Sequence, residues 1–339
     1  MTLELLPWQS PQLGCAVEVP HELRWIRLPV PGPLQHINVW LAPGRSRRVL
    51  IDTGLNQPET HAAWASLAVS ERLERELEAI LVTHHHPDHC GMAAALAERF
   101  AVPVRMSAPA RAAALRSSSG TVGGTAADLA AYRSEWGVDF VALLARARGA
   151  GSFDKLLSGI PAETDPIVEG ERIGELRDPW RASLHFGHAE GHVCLYWREA
   201  ALFISGDQLL PAISSNVSLY PGAASDDPLG DFLASLERLA RLPPQTIVLP
   251  AHGAPFRGAA TRAAQVHAGH QQRLAKLSDF AREPRGTAEV VGALFGARKL
   301  EGWNTLLAYG ETLAHIRYLH LRGALLRLEE GGEVRWLRH

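Results

Sequence analysis

The sequence predicts an α/β protein with a small C-terminal domain of a different character. Three observations carry that expectation. Short β-rich runs alternate with helical stretches over the first 258 residues. Potential metal ligands fall just past the ends of several of those runs. From about residue 259 the pattern changes to three helices and a terminal hairpin. The expected division is therefore 1–258 and 259–339, with a helical insertion at about 108–157.

In chain order, Trp25–Leu28, Ile37–Leu41 and Val49–Ile51 read as strands, separated by Pro-Gly and Gly-Arg-Ser breaks. Glu71–Glu78 is charged and helical, and leads into the short apolar strand Ala79–Thr83. Gly91–Phe100 has the composition of a helix. The insertion is rich in Ala, Arg, Leu and Gly. Helical stretches around Pro109–Leu115 and Ala126–Ala147 flank a Ser-Ser-Ser-Gly-Thr-Val-Gly-Gly spacer at 117–124. It reads as either a lid with a mobile hinge or a surface helical pair. Strands resume at Leu184–Phe186, Val193–Trp197 and Ala201–Ser205, the last two joined by a hairpin turn at Arg198-Glu199-Ala200. Asp227 is a good N-cap and Pro228 opens a helix through Leu242. Leu229, Phe232, Leu233, Leu236 and Leu239 fall at helical spacing along it. Thr246–Leu249 is a further strand. Gln271–Ala281, Ala288–Phe295 and Thr305–Leu321 read as helices, and Leu325–Leu328 and Val334–Leu337 flank a Gly-Gly turn. Three helices followed by a hairpin is the outline of a winged helix.

Composition narrows the function classes. A net charge of −2 with 46% hydrophobic and 21% charged residues gives no global nucleic-acid or membrane footprint. Three cysteines, Cys15, Cys90 and Cys194, fit a reducing compartment better than a disulfide framework. The N-terminus lacks the pattern of a signal peptide, and no apolar run reaches the roughly 18 residues of a membrane span, so a cytoplasmic protein is expected.

Residues 83–91, Thr-His-His-His-Pro-Asp-His-Cys-Gly, carry the chemistry. His84, His86, Asp88 and His89 lie within six positions, and imidazoles crowded with a carboxylate are strong ligands for zinc or a similar cation. His84 and His86 face one side of an extended chain, while Pro87 turns the backbone and presents Asp88 and His89 from another direction. One loop can thus feed two neighbouring metals. His188, Asp207 and His252 each follow a strand and complete a two-metal set.

With these residues in view, the chain resembles the metallo-β-lactamase fold superfamily over roughly residues 20–258. Five signatures occur in the family's order: Ile51-Asp52-Thr53-Gly54, then His84-His85-His86-Pro87-Asp88-His89, then His188, Asp207 and His252. The resemblance implies a four-layer αββα sandwich. It also implies two divalent cations, zinc with iron or manganese as alternatives. His84, His86 and His188 would hold the first, Asp88, His89 and His252 the second, and Asp207 would bridge them. An aspartate at 207, where some lactamases have cysteine, looks more like the glyoxalase II and lactonase branches. Phe186 and Ala189-Glu190 depart from the family's usual third signature. The terminal segment resembles the winged-helix domain appended to some members, including a lactamase-like endoribonuclease.

The expected chemistry is hydrolysis of a thioester, lactone or related small ester by a hydroxide shared between the metals, with Asp88 orienting it and passing on its proton. The alternatives are a nuclease with the same metals and an iron-dependent oxidoreductase such as a persulfide dioxygenase. The tail, residues 255–339, holds 13 Lys/Arg against 8 Asp/Glu. That mild bias suits packing or a homodimer better than nucleic acid. A small-molecule substrate is the expected partner, without a membrane. His85 should point away from the metals, and Asp52 should support the ligand loop without binding metal. His192 reads equally as a hydrogen-bonding support or as loop structure. Cys90 and Cys194 read as buried thiols. Tyr220 and the Ser214-Ser215-Asn216 run read as substrate contacts or as turn structure.

Overall fold

A computed structural model describes residues 3–118, 124–148, 156–160, 165–296 and 300–339. Two six-stranded sheets form the frame. The first has the spatial order Ala16–Val19, Leu23–Pro29, His36–Pro43, Arg48–Ile51, Leu77–Leu81, Val104–Arg105. In the second the order is Glu4–Leu5, Phe256–Arg257, Ile247–Pro250, Leu202–Gly206, His192–Trp197, Arg181–His185. Both sheets mix antiparallel hairpins with parallel pairs. Arg48–Ile51 runs parallel to Leu77–Leu81, and Leu202–Gly206 runs parallel to Ile247–Pro250. Parallel neighbours need crossovers, which the helices Pro58–Ser70 and Pro228–Leu239 supply.

Side-chain alternation explains the layering. Along His36–Pro43, Ile37, Val39 and Leu41 face one way and Trp40 and Ala42 the other. The first set packs with Trp64, Leu67, Ala93 and Leu96 of the covering helices. The second set meets Val193, Leu195, Leu202, Ile204 and Leu249 of the other sheet. That sheet turns Cys194, Phe203 and Val248 outward, onto Leu229, Phe232 and Leu236 of Pro228–Leu239. Helix, sheet, sheet, helix is the expected four-layer αββα sandwich.

After Phe256–Arg257 the chain enters a helix, Ala259–Phe280, twelve residues ahead of the expected start at Gln271. The helices Thr287–Phe295 and Trp303–Leu321 follow, then the hairpin Leu325–Glu330 and Glu333–Arg338, to which Arg285–Gly286 adds a third strand. This terminal unit shares a core with the insertion. The expected single helix Ala126–Ala147 is two helices, Ala126–Trp136 and Phe140–Arg148, because Gly137 takes a left-handed φ of 65°. Trp136 stacks on Trp336 at 5.5 Å between ring centroids, and its carbonyl accepts a hydrogen bond from Thr287. This half of the insertion is built into the core. The spacer at 117–124 lies largely outside the described residues.

Further differences are local. The helix Pro58–Ser70 precedes the charged stretch, which itself forms only the short turn Leu73–Glu76 after Arg72 adopts a left-handed φ of 53°. Among the described residues no helix is long and apolar enough to cross a membrane.

Burial also sets a pH dependence of stability. It pushes His185 and His270 down to about 3 and His315 down to about 4. Unfolded, each would take a proton near pH 6.5. Below that value the unfolded chain binds more protons than the folded one. The contribution of these residues is therefore complete above about pH 6.5 and lost as pH falls towards 4, by about 1.4 kcal/mol per pH unit for each proton. Urea unfolding of the metal-free protein should show a clearly lower midpoint at pH 5 than at pH 7. Equal midpoints would contradict neutral burial.

Candidate metal centre

The strands Arg48–Ile51, Leu77–Leu81, Arg181–His185, Leu202–Gly206 and Ile247–Pro250 all end at one edge of the sandwich, where loops gather beyond strand C-termini. That edge is stitched together before any side chain of the site is placed. Asp52 N–H donates to Leu81 O at 2.9 Å and Val193 N–H to Thr83 O at 2.8 Å. Asn38 crosses between the sheets, its backbone N–H donating to Ala251 O at 2.6 Å and its side chain to Pro250 O at 2.9 Å.

All seven expected ligand residues come together here. His84, His86, His188 and Asp207 form one group, and Asp88, His89 and His252 another, the ligating atoms within each lying inside 4.8 Å. Asp207 stands between them. Its Oδ2 is 3.4 Å from His188 Nε2, while its Oδ1 is 3.4 Å from His252 Nε2 and 3.5 Å from His89 Nε2. Asp88 Oδ2 lies 3.3 Å from His252 Nε2 and 3.7 Å from His89 Nε2.

The outward nitrogens of the histidines are tied down, which fixes what the inward ones offer. His188 Nδ1–H donates to Asn216 O at 2.7 Å and His252 Nδ1–H to His36 O at 2.7 Å. His89 Nδ1–H donates to Asp52 Oδ2 at 2.8 Å, and His84 Nδ1 meets Thr83 Oγ1 at 3.1 Å. Each arrangement directs an Nε2 lone pair inward. His86 turns its Nδ1 inward instead, 3.0 Å from His84 Nε2.

These atoms suit a cation. The Nε2 atoms of His89, His188 and His252 and Oδ1 of Asp207 are buried without a hydrogen-bond partner. Such orphans are rare and costly unless something else satisfies them. The spacings between carboxylates and imidazoles, 3.3–3.7 Å, are too long for good hydrogen bonds. Two ligands on one tetrahedral ion at about 2.1 Å would stand about 3.4 Å apart. Nitrogen and carboxylate oxygen donors are the set that zinc and its first-row neighbours accept.

Electrostatics divides the site in the same way. Burial, reinforced by neighbouring imidazoles, pushes His84 well below the usual histidine range and does the same to His86. Burial also opposes charge on His89, but Asp52, Asp207 and Asp88 outweigh it and hold the ring well above that range. Asp207 is held well below the carboxylate range, since His252 and His89 overcome the cost of burial.

The remaining residues take supporting places. Asp52 accepts from Thr83 N–H at 2.8 Å and Thr83 Oγ1–H at 2.9 Å as well as from His89. His192 lies outside both groups. It stacks on His84 at 4.6 Å, and its Nε2 accepts from the Asp207 N–H at 3.1 Å. Gly206 has to be glycine for this, because a Cβ would stand 2.6 Å from the His192 ring. His85 also stays out of both groups. Burial raises the Cys90 and Cys194 thiols, which suits packing residues and not nucleophiles. Sequence reasoning missed His36 and the main-chain role of Asn216. Both act through a backbone carbonyl, for which a sequence carries no signal. Thr83 could have been found, since it opens the ligand loop directly after a strand.

The sequence profile of the metallo-beta-lactamase superfamily matches residues 32–252, and that of a metallo-beta-lactamase-like C-terminal domain matches residues 274–339. A probable metallo-hydrolase, YqjP of Bacillus subtilis (strain 168), is 28% identical over 91% of this chain and 95% of its own. A hydroxyacylglutathione hydrolase of Halorhodospira halophila is 30% identical over 52% of this chain and 47% of its own. A beta-lactamase domain protein from Burkholderia ambifaria has a crystal structure that superposes with a TM-score of 0.86 at 31% identity, over 99% of this chain and 98% of that one.

Proposed function

We propose a two-metal mechanism for this chain, which belongs to the metallo-beta-lactamase superfamily and, like its metallo-hydrolase relatives, is a metal-dependent hydrolase. In this reading His84, His86 and His188 would hold one divalent cation, Asp88, His89 and His252 would hold the other, and Asp207 would serve both. The observation that carries it is the Asp207 carboxylate, with one oxygen towards His188 and the other towards His89 and His252.

When bound, such a pair of ions supplies Lewis-acid polarisation and a water acidic enough to react near neutral pH. The chain's own residues do the rest. Asp88 is held ionised, because His89 and His252 outweigh the cost of its burial. In this reading it would orient the attacking water and carry its proton to the departing atom. His84 and His86 stay neutral and therefore able to donate lone pairs. No thiol nucleophile is needed.

The substrate class we favour is a small thioester, with lactones and related esters next. Likeness to hydroxyacylglutathione hydrolases supports it. Part of the basic bias of the tail is neutralised by acids outside it, which favours a small molecule over nucleic acid. Arg317 pairs with Glu135 at 2.7 Å and Arg322 with Asp227 at 2.8 Å. Zinc is the ion we assign, from the donor set. We also divide the chain after residue 258 and read the tail as a winged helix, on its order of helix, strand, two helices and hairpin. The described cysteines are unpaired, which suits the cytoplasm.

Zinc-loaded protein should contain two ions per chain by elemental analysis and should hydrolyse at least one member of a panel of hydroxyacyl thioesters and lactones. A fully loaded preparation inert towards the whole panel removes the ester reading. Dominant iron with oxygen uptake moves the assignment to an oxidoreductase.

A further inference from the structure

We propose that Glu311, on the C-terminal helix Trp303–Leu321, is a positioning residue for the metal centre and acts through Asn216 on His188. The inference rests on the two-metal reading and names the device that ties the C-terminal unit to it.

The ring of His188 is aimed by the carbonyl of Asn216, which accepts its Nδ1–H at 2.7 Å. That carbonyl belongs to residues 214–220, a stretch with neither helix nor strand, so no periodic hydrogen bonding fixes its direction. The Asn216 side chain and its neighbours fix it instead. Asn216 Nδ2–H donates to Glu311 Oε2 at 3.1 Å, and Ser218 Oγ–H donates to Asn216 Oδ1 at 2.5 Å. Leu219 N–H donates to Gly310 O at 3.0 Å, one residue before Glu311. Gly310 permits that approach, since a Cβ there would stand 2.6 Å from Ser218 Oγ. Glu311 is held from its far side by Arg273 of Ala259–Phe280, at 3.5 Å.

Glu311 is otherwise hard to explain. A largely buried carboxylate with one long ion pair gains little stability over an apolar residue of its size. A metal site of its own is disfavoured, although His270, Glu311 and His315 cluster within 4.8 Å. His315 Nδ1–H donates to the Glu311 carbonyl at 2.7 Å, and His270 Nδ1 meets His315 Nε2 at 3.2 Å. Those rings satisfy each other, and the carboxylate faces Asn216 and Arg273. What remains for Glu311 is to hold a loop whose carbonyl aims a ligand, a role that typically changes metal affinity 10–100-fold when lost.

The test is competitive zinc release from zinc-loaded full-length protein with a chelator, alongside thermal unfolding of the metal-free forms. In E311A one ion should leave at about 10–100-fold lower chelator concentration while the other keeps its wild-type midpoint. N216A should show the same selective loss, and the double variant E311A/N216A no further loss, because both act on one connection. E311Q should stay near wild type, since its amide oxygen still accepts from Asn216. The proposal is overturned if E311A and N216A release both ions at wild-type midpoints. It is equally overturned if both ions weaken together, which is general loosening, or if E311Q fails as badly as E311A, which assigns the effect to the Arg273 pair. Wild-type protein that binds a single ion would count against the two-metal reading instead, and the release midpoint of that ion would still report on the relay.

Discussion

Under the two-metal reading, replacing Asp207 with alanine is expected to lower the metal content of the purified protein to near zero and to reduce hydrolysis by about 10³-fold or more, the equivalent of about 4 kcal/mol of lost transition-state stabilisation. The reason is its double duty. Every other candidate ligand belongs to one group, whereas Asp207 offers an oxygen to both. Without it, both groups lose an anion that offsets a cation's charge, and the first is left with imidazoles alone. The metal-free protein changes as well. Asp207 is the largest influence raising His252 against burial, so D207A should leave that ring neutral to lower pH. D207N separates charge from shape, since it preserves the volume and should still lose most of the metal. Elemental analysis with an activity assay decides the matter. Wild-type metal content in D207A would end the bridging assignment and with it the two-metal mechanism.

Much of this site could be read in the sequence for a physical reason. The candidate ligands are polar side chains that follow strands, so they stand out against apolar runs such as Ala79–Val82 or Ile247–Leu249. The two-residue spacing of His84 and His86 and the turn at Pro87 were enough to foresee two groups from one loop. The strands were equally legible, because their faces alternate between cores, as at Ile37, Val39 and Leu41 against Trp40 and Ala42. What escaped reading has no side-chain signature. The short edge strands Glu4–Leu5 and Val104–Arg105 are defined by partners distant in sequence. The carbonyls of His36 and Asn216 aim two histidines, and any residue has a carbonyl. The charged run Glu71–Glu78 drew the helix away from Pro58–Ser70, whose proline at the first turn and following alanines are good local signals. The placement of Trp136 on Trp336 depends on tertiary packing that periodicity does not encode.

Asp52 provides the sharper test of how the fold supports the centre. D52A should destabilise the metal-free protein by about 3 kcal/mol or more and weaken zinc binding as well. Two costs fall on stability and a third on the zinc. The buried Thr83 N–H and the His89 Nδ1–H lose their acceptor, at about 1–3 kcal/mol each. Alanine would also have to adopt the left-handed φ of 64° that Asp52 takes, at about 1 kcal/mol or more. Finally, His89 is freed to rotate or to change tautomer, which turns its lone pair away from the second group. D52N tolerates the backbone and keeps one acceptor oxygen, so it should recover about half of the stability. It cannot accept from both Thr83 and His89 as the carboxylate does, so its zinc affinity should remain reduced by about 10–100-fold. Urea unfolding and chelator competition on the two variants therefore give different rankings. D52N should lie between wild type and D52A in the first and near D52A in the second. If the two variants rank alike in both measurements, Asp52 acts only as a fold residue, and the orientation of His89 is set by something else.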